Sequence, residues 1–123
     1  MTAPSDWLAR LRVAEEVILE TRRGPGSPIH RTVIWVIVDE AGRILVRTYL
    51  GPTTRWYREV AAHPECVVEL DGDRLSVRAV PAPDPGRIAA ASAGYLAKYV
   101  GHRAAAAMVA EGNLPTTLEL VPR

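Results

Sequence analysis

Ile29–Val38 (IHRTVIWVIV) decides the fold of this chain, because no other stretch predicts a strand so strongly. Most of its residues are β-branched or otherwise apolar, and such side chains favour extended structure. The apolar run is nearly continuous, which is typical of a strand that is covered on both faces. We therefore expect a strand-rich core in which this strand is enclosed by other elements.

Turn signals on the C-terminal side of this strand divide the chain into hairpins. Residues 39–42 (DEAG) form the first turn, so Ile44–Tyr49 is expected to return as the second arm of a hairpin. Residues 71–73 (DGD) form the second turn, and an Asp-Gly pair between two strand runs is a good hairpin signal. Six strands are expected: Val17–Arg22, Ile29–Val38, Ile44–Tyr49, Cys66–Leu70, Arg74–Val80 and Thr117–Val121.

Short helices are expected outside the strands. The first three begin at residues whose side chains can cap a helix, namely Asp6, Thr53 or Thr54, and Asp84. A fourth, Ala-rich helix is expected over residues 102–111. Six strands with short helices over the openings of the sheet indicate a small barrel of the α+β class.

Length and composition favour one domain that spans residues 1–123. Apolar residues make up 48% of the chain, which is enough to fill a core and too many for a disordered chain. No apolar run approaches the roughly 20 residues that a membrane-spanning helix needs, and Met1–Asp6 lacks the basic and apolar regions of a signal peptide. A cytoplasmic location is therefore the default expectation.

The charge balance and the motif content argue against several classes of protein. The 15 basic residues stand against 14 acidic ones, whereas nucleic-acid and membrane-surface binders usually show a clear basic excess. Phosphate-loop and dinucleotide fingerprints do not occur. The single cysteine, Cys66, is expected to be a buried structural thiol, and the histidines lack the spacing of metal ligands. We therefore expect no metal site, no nucleic-acid partner and no membrane partner.

Arginines are concentrated in one part of the chain, and two of them interrupt strand sequence. Arg31 precedes apolar residues 32–35, and Arg47 follows apolar residues 44–46. A buried arginine costs free energy unless an anion or a carboxylate meets it. Arg55 lies in the first turn of an expected helix, where the helix dipole disfavours a cation but a bound phosphate would reverse the penalty. The concentrated set is Arg22, Arg23, Arg31, Arg43, Arg47, Arg55 and Arg58.

Two interpretations of these residues are open. In the first, the arginines bind a phosphate-bearing planar ligand, with hydroxyl donors at Thr48, Thr53 and Thr54. Aromatic side chains nearby in sequence would then flank the flat ring of the ligand. In the second, Arg31 and Arg47 lie at strand edges and extend to water, while the tryptophans are core residues. The aromatic residues in question are Trp35, Tyr49, Trp56 and Tyr57.

The order of these motifs resembles that of the flavin-binding split-barrel superfamily, which includes pyridoxamine-phosphate oxidase and the deazaflavin-dependent nitroreductases. The resemblance covers Val17–Pro81: an arginine-led strand, a hairpin, a strand that ends in threonine, a glycine-containing turn and a basic residue that opens a helix. The pair Trp56-Tyr57 is similar to the nitroreductase branch and to a short uncharacterised family beside it. The segments that carry the resemblance are HRTVIW (30–35), DEAG (39–42), VRTYLG (46–51), TRWY (54–57) and HPECV (63–67).

The resemblance implies a six-stranded split β-barrel that forms a homodimer, with FMN or a deazaflavin coenzyme at the subunit interface. It also implies that Arg31, Thr48 and Arg55 hold the phosphate and that residues 32–35 line the ring. The cofactor's ring does the redox chemistry in such proteins, so no catalytic side chain is expected. The implied cofactor-binding residues are Arg31, Thr32, Val33, Trp35, Arg47, Thr48, Gly51, Thr54, Arg55 and Trp56.

Three functions are compatible with this sequence. The first is a flavin- or deazaflavin-dependent oxidoreductase that exchanges hydride with a small-molecule substrate. The second is a non-catalytic module on the same barrel that binds or senses a cofactor, haem or another phosphorylated ligand. The third is a barrel without a ligand site that acts only through its dimer interface.

Overall fold

The computed structural model describes residues 4–123, so the expectation about a signal peptide at Met1–Asp6 rests partly on residues outside the described part. None of the described helices is long and apolar enough to cross a membrane. In chain order the elements are α1 (Ser5–Val13), β1 (Val17–Thr21), β2 (His30–Ile34), β3 (Ile37–Val38), β4 (Ile44–Val46), α2 (Arg55–Ala62), β5 (Glu65–Leu70), β6 (Asp73–Pro81), α3 (Pro85–Lys98), α4 (Ala105–Met108), a 3₁₀ helix (Glu111–Thr116) and β7 (Leu118–Pro122).

All seven strands of residues 4–123 belong to one antiparallel sheet, in the order β2-β1-β5-β6-β7-β4-β3. The two edge strands, β2 and β3, follow each other in the chain with only Trp35 and Val36 between them. The sheet therefore curls so that its two edge strands are joined by residues 35–36. With short helices outside the sheet, the fold belongs to the α+β class, as the sequence predicts.

The expected count of six strands was wrong, because Ile29–Val38 does not form one continuous strand. Its first half pairs with β1, whereas its second half pairs with β4. At the break, the N–H of Val36 donates to the hydroxyl of Tyr99 at 3.2 Å, and the carbonyl of Val36 accepts from Lys98 at 2.6 Å. Side chains of α3 thus satisfy backbone groups that a neighbouring strand would otherwise pair.

Two clusters of apolar side chains form the core. The larger joins strands of the sheet to α1 and α2, and it includes the buried residues Leu19, Val68 and Trp56. The smaller joins β3 and β4 to α3 and α4, and it includes Leu45 and Tyr95, both of which are fully buried. The smaller cluster fixes α3 against the segment that connects β2 and β3.

The β5–β6 hairpin confirms the turn expected from the Asp-Gly pair. Leu70 pairs with Asp73 across a two-residue loop, and Asp71 and Gly72 both have positive φ, at 52° and 85°. Glycine adopts this left-handed conformation freely and aspartate tolerates it, so the local sequence alone specifies a tight hairpin here.

The helix caps agree with the sequence analysis at α3 and differ from it at α1. Asp84 accepts a hydrogen bond of 3.0 Å from the N–H of Arg87, so the expected cap of α3 is confirmed. The first helix begins at Ser5, which places Asp6 inside the first turn instead of at the cap. An acidic residue in the first turn still interacts favourably with the helix dipole.

Two elements are shorter than expected. In place of a helix over residues 102–111, α4 has a single turn, because the N–H groups of Val109 and Ala110 bond to carbonyls three residues back. In place of a strand over Ile44–Tyr49, β4 ends at Val46. The next two residues instead bond to α3, to α4 and to the segment around the 3₁₀ helix.

Candidate functional site

A cavity of about 380 Å³ lies beside β2 and is bordered by the connection from β4 to α2 and by α4. This volume is within the range of small-molecule sites. Val33, Tyr49 and Leu50 border it with exposed apolar side chains. We call this cavity the apolar groove, and six of the expected cofactor-binding residues line it: Thr32, Val33, Trp35, Arg47, Thr54 and Trp56.

The indole of Trp35 is held in place by aromatic neighbours from α3 and beyond. It stacks on Tyr99 with ring centroids 3.8 Å apart and ring planes 1° apart, and the ring of His102 meets it edge-on at 5.2 Å. Tyr99 is itself fixed, because its hydroxyl donates to the carbonyl of Glu15 at 2.6 Å. The groove therefore has a pre-ordered aromatic wall, which lowers the entropic cost of binding a planar ring.

Thr32 lines the groove, and its hydroxyl has no hydrogen-bond partner within residues 4–123. Its Oγ1 is buried and makes no hydrogen bond, and no other buried side-chain nitrogen or oxygen in residues 4–123 is in this position. Buried polar groups in native proteins are nearly always hydrogen-bonded. This hydroxyl is therefore an unusual feature of a residue that lines the groove.

Arg47 is buried, and no carboxylate of residues 4–123 forms an ion pair with its guanidinium. The side chain is 2% exposed, and it donates to the hydroxyls of Thr117 (2.9 Å) and Ser92 (2.8 Å) and to the carbonyls of Met108 and Ile88 (both 3.0 Å). Burial lowers the pKa of Arg47, but a guanidinium keeps its proton in proteins. The groove is therefore bordered by a positive charge that only neutral oxygens surround.

Three other residues expected to bind the cofactor lie in the segment that connects β4 and α2. Thr48 is buried, and its hydroxyl bonds to Asn113 Oδ1 (3.0 Å) and Thr116 Oγ1 (2.8 Å), so it does not line the groove. Gly51 has a φ of 88°, which the turn before α2 requires. Thr54 is the N-cap residue of α2, but its hydroxyl donates backwards to the carbonyl of Gly51 at 2.7 Å. The first-turn N–H groups of α2 are thus left without a side-chain acceptor.

Arg31 lies outside the groove. Its guanidinium donates to Glu20 at 2.7 Å and also bonds to Glu69, and Arg74 donates to Glu20 at 2.6 Å. The hydrogen bond from Arg74 is the main cause that keeps the pKa of Glu20 below its ordinary value. Arg31 therefore belongs to a network of carboxylates and arginines across β1, β2, β5 and β6. Two carboxylates, Glu20 and Glu69, already hold this guanidinium.

A second cavity, of about 340 Å³, lies along α2, from its first residue to its last. We call it the basic cleft, and it is lined by Arg23, His30, Arg55, Arg58 and Glu59. Arg55, the basic residue expected at the start of the second helix, occupies this cleft instead of the apolar groove. Arg55 and Arg58 lie three residues apart on α2, so their side chains occupy the same face of the helix.

Both carboxylate oxygens of Glu59 in the basic cleft are already hydrogen-bonded inside the protein. Its Oε1 accepts from the hydroxyl of Thr21 at 2.6 Å, and its Oε2 lies 2.7 Å from Nδ1 of His30. Although burial works against the charge, these hydrogen bonds hold the pKa of Glu59 below its ordinary value. Because an ionised carboxylate can only accept, Nδ1 of His30 carries a proton. The arginines consequently give the cleft a net positive charge.

The apolar groove and the basic cleft adjoin along the same two elements. Thr32 lines the groove and His30 lines the cleft, and residues two apart on a strand point to the same face. Thr54 lines the groove and Arg55, the next residue, lines the cleft. From His30 to Trp35 the chain advances about 16 Å at the rise of an extended strand. Together the two cavities form a site with an aromatic end and a cationic end.

A family model for an uncharacterised protein conserved in bacteria (DUF2255) matches residues 7–120. The chain belongs to the DUF2255 family. The matched range includes every residue that lines the apolar groove or the basic cleft. A comparison of the chain with curated proteins finds no match.

Solved structures of other proteins share the fold of this DUF2255 chain. Rv2991, a conserved hypothetical protein from Mycobacterium tuberculosis, is 18% identical, with a TM-score of 0.73 over 100% of this chain and 82% of its own. HutZ, the heme storage protein from Vibrio cholerae, is 10% identical, with a TM-score of 0.66 over 100% and 92%. An F420 reductase is 18% identical, with a TM-score of 0.55 over 98% and 96%. All three have split-barrel folds of the FMN-binding type, so the resemblance seen in the sequence is confirmed at the level of the fold.

Sequence reasoning missed part of the site of this DUF2255 chain. It gave no role to Arg23, His30 and Arg58 in a common cleft, although the concentration of arginines between residues 22 and 58 was a signal that could have found them. It also gave no role to Tyr99, because no local sequence pattern predicts that Tyr99 stacks on Trp35.

Proposed function

We propose that this DUF2255 chain binds a flavin-type cofactor, FMN or a deazaflavin coenzyme, and acts as an oxidoreductase on a small molecule. The observation that carries the proposal is the unpartnered Oγ1 of Thr32 in an apolar groove that adjoins the basic cleft. A ligand that satisfies both features needs a flat apolar body with polar edge atoms and an anionic end. A flavin with a phosphate-bearing side chain has this form.

The ring would lie in the apolar groove. Trp35 and Trp56 supply aromatic surface, and Val33 supplies an apolar contact at the mouth. Thr32 would bond to a polar edge atom of the ring, and the buried charge of Arg47 favours a ring that carries negative charge. When bound, the cofactor supplies hydride transfer, and the chain supplies position, electrostatics and exclusion of water.

The phosphate would lie at the start of α2. The first-turn N–H groups have no capping side chain, and the helix dipole favours an anion there. Arg55, the first residue of the helix, is exposed and makes no ion pair within residues 4–123. A phosphate would therefore gain both amide donors and a free guanidinium.

A second copy of the chain would complete the site. Val33, Tyr49 and Leu50 are 58%, 51% and 75% exposed, and all three border the apolar groove. Contiguous exposed apolar side chains next to a groove are typical of an interaction surface. A homodimer that covers these residues would also cover the exposed side of a bound ring.

A non-catalytic binding module is the second candidate, and one observation favours it. Among the described residues that line the apolar groove, Glu16 at the rim is the only carboxylate, and there is no histidine, cysteine or lysine. The chain itself therefore supplies few groups that can exchange protons with a substrate. Under this alternative the protein would store or sense a cofactor, such as a flavin or haem, without turnover.

The test is a thermal-shift screen with FMN, FAD, the deazaflavin coenzyme and haem, together with absorbance spectra of the purified protein. A ligand present at 100 times its dissociation constant stabilises the folded state by about 2.7 kcal/mol, which is a shift of several degrees for a domain of this size. We expect a shift with FMN or the deazaflavin that is lost in Arg55→Ala and kept in Arg12→Ala, an exposed arginine on α1.

The outcomes separate the candidates. A flavin shift followed by turnover with a reduced nicotinamide or a reduced deazaflavin supports the oxidoreductase. A shift without turnover under any of these donors supports the binding module. No shift with any of the four compounds, or an equal shift in Arg55→Ala, contradicts the proposed site.

A further inference from the structure

The arginines of the basic cleft differ from most other arginines of the chain in having no carboxylate partner. Within residues 4–123, Arg23, Arg55 and Arg58 form no ion pair, and their cleft contains only one acidic residue, Glu59. In the described part of the chain, seven arginines outside the cleft lie within 4.0 Å of a carboxylate: Arg10, Arg31, Arg43, Arg74, Arg78, Arg87 and Arg123.

The three free guanidinium groups come from two separate parts of the fold. Arg55 and Arg58 lie on successive turns of α2, whereas Arg23 belongs to the loop that connects β1 and β2. A neighbouring cavity of about 270 Å³ shares the lining residues Arg23, His30 and Glu59 with the basic cleft. The cationic region thus extends beyond the helix start, along the space between this loop and α2.

One phosphate group has too few oxygens to accept from all the N–H donors of this region. A phosphate at the start of α2 can bond to Arg55 and to the first-turn amides, but Arg58 lies one turn farther along the helix and Arg23 lies across the cleft. Each guanidinium presents five N–H donors, so most donors of the cleft would remain available to a second anionic group. A second anionic group on the same ligand would meet them.

We propose that the basic cleft binds a second anionic group, so that a ligand with two linked anionic groups binds more tightly than a phosphate monoester does. The second group is a phosphate or a carboxylate that is joined to the first phosphate and is held by Arg23 and Arg58. This inference rests on the proposed function for the position of the first phosphate. It deepens that function, because it names the charge class of the cofactor's tail.

The experiment compares inorganic phosphate with inorganic pyrophosphate, because the two anions differ by one linked phosphate group. Their dissociation constants are measured by isothermal titration calorimetry at constant ionic strength, with the wild-type chain, Arg23→Ala, Arg58→Ala and the control Arg12→Ala. We expect pyrophosphate to bind about tenfold more tightly than phosphate to the wild type, which corresponds to one good charge-assisted contact. Far-ultraviolet circular dichroism checks that each variant is folded.

The variants decide between a built subsite and a general preference for charge. Arg23→Ala and Arg58→Ala should lose most of the pyrophosphate preference while phosphate affinity changes less than about threefold, and Arg12→Ala should keep the preference. Equal affinity for the two anions in the wild type, or a preference that survives both cleft substitutions, overturns the inference.

An FMN titration, run in parallel, separates this inference from the proposed function. A pyrophosphate preference that depends on Arg23 and Arg58, without FMN or deazaflavin binding, retains the anion subsite and removes the flavin proposal. Binding of FMN with an affinity that Arg55→Ala lowers, but with no pyrophosphate preference, retains the cofactor and removes the second subsite.

Discussion

The hydroxyl of Thr32 allows a test in which stability and ligand affinity should change in opposite directions. In the free protein its Oγ1 is buried and has no hydrogen-bond partner. A buried hydroxyl without a partner costs about 1–3 kcal/mol relative to an apolar group of the same shape. Thr32→Val keeps the shape of the side chain and removes the hydroxyl. We therefore expect this substitution to raise the free energy of unfolding by about 1–2 kcal/mol.

The same substitution should weaken cofactor binding. If the hydroxyl bonds to a polar edge atom of the ring, its loss costs about 1 kcal/mol of binding free energy, or about a fivefold rise in the dissociation constant. Urea denaturation measures the first effect, and a fluorescence titration with the flavin identified by the screen measures the second. A domain of this size gains about 4 °C in Tm for each kcal/mol, so differential scanning calorimetry resolves the stability change.

Thr21→Val is the matched control, because Thr21 is also on the sheet but its hydroxyl donates to Glu59 at 2.6 Å. Removing this donor leaves a buried carboxylate with one partner fewer, so the control should be destabilised while Thr32→Val is stabilised. Two results would refute the reasoning. One is a loss of stability in Thr32→Val similar to that of the control, and the other is an unchanged flavin affinity.

Three further predictions concern the scaffold. Burial lowers the pKa of Lys98 to about 8, so between pH 8 and pH 10 the unfolded chain holds a proton that the folded chain has lost. The free energy of unfolding should therefore rise by about 1 kcal/mol over this range, because solvent around this half-buried amine screens part of the effect, and urea titrations of Lys98→Met should lack the rise. Arg31→Ala should change flavin affinity by less than about twofold, because the partners of Arg31 are outside the groove. A large loss of affinity in a fluorescence titration would contradict this and indicate that Arg31 binds the phosphate. A Cβ on Gly94 would lie 2.9 Å from Cδ1 of Ile37, so Gly94→Ala should lower stability by about 1–3 kcal/mol in thermal melting, and an unchanged Tm would contradict this packing.

Local signals in the sequence predicted the elements whose cause is local. The Asp71-Gly72 turn needs only residues that accept positive φ, and the start of α3 needs only Asp84 and the following proline. Such features depend on three or four adjacent residues, which a sequence displays directly. The start of α2 was also expected at this position, but the hydroxyl of Thr54 donates to the carbonyl of Gly51 and does not cap the helix as the sequence analysis expected.

Features that depend on distant partners could not be predicted in this way. The division of Ile29–Val38 into two strands depends on Tyr99 and Lys98, which are more than 60 positions away in the chain. The burial of Thr48 depends on Asn113 and Thr116, at the other end of the sequence. Neither pairing follows from the spacing of residues along the chain, because each is created only when the sheet curls.

The two arginines that interrupt strand sequence show why the position of a charge does not by itself locate a ligand. The rule that a buried arginine needs an acceptor applies to Arg47, because the side chain of Arg31 is 49% exposed. Arg31 meets Glu20 and Glu69 and needs nothing more, whereas Arg47 meets only neutral oxygens. A ligand is indicated where the protein leaves polar groups without a partner. Within residues 4–123, the hydroxyl of Thr32 has no hydrogen-bond partner, and Arg47 and the arginines of the basic cleft have no carboxylate partner.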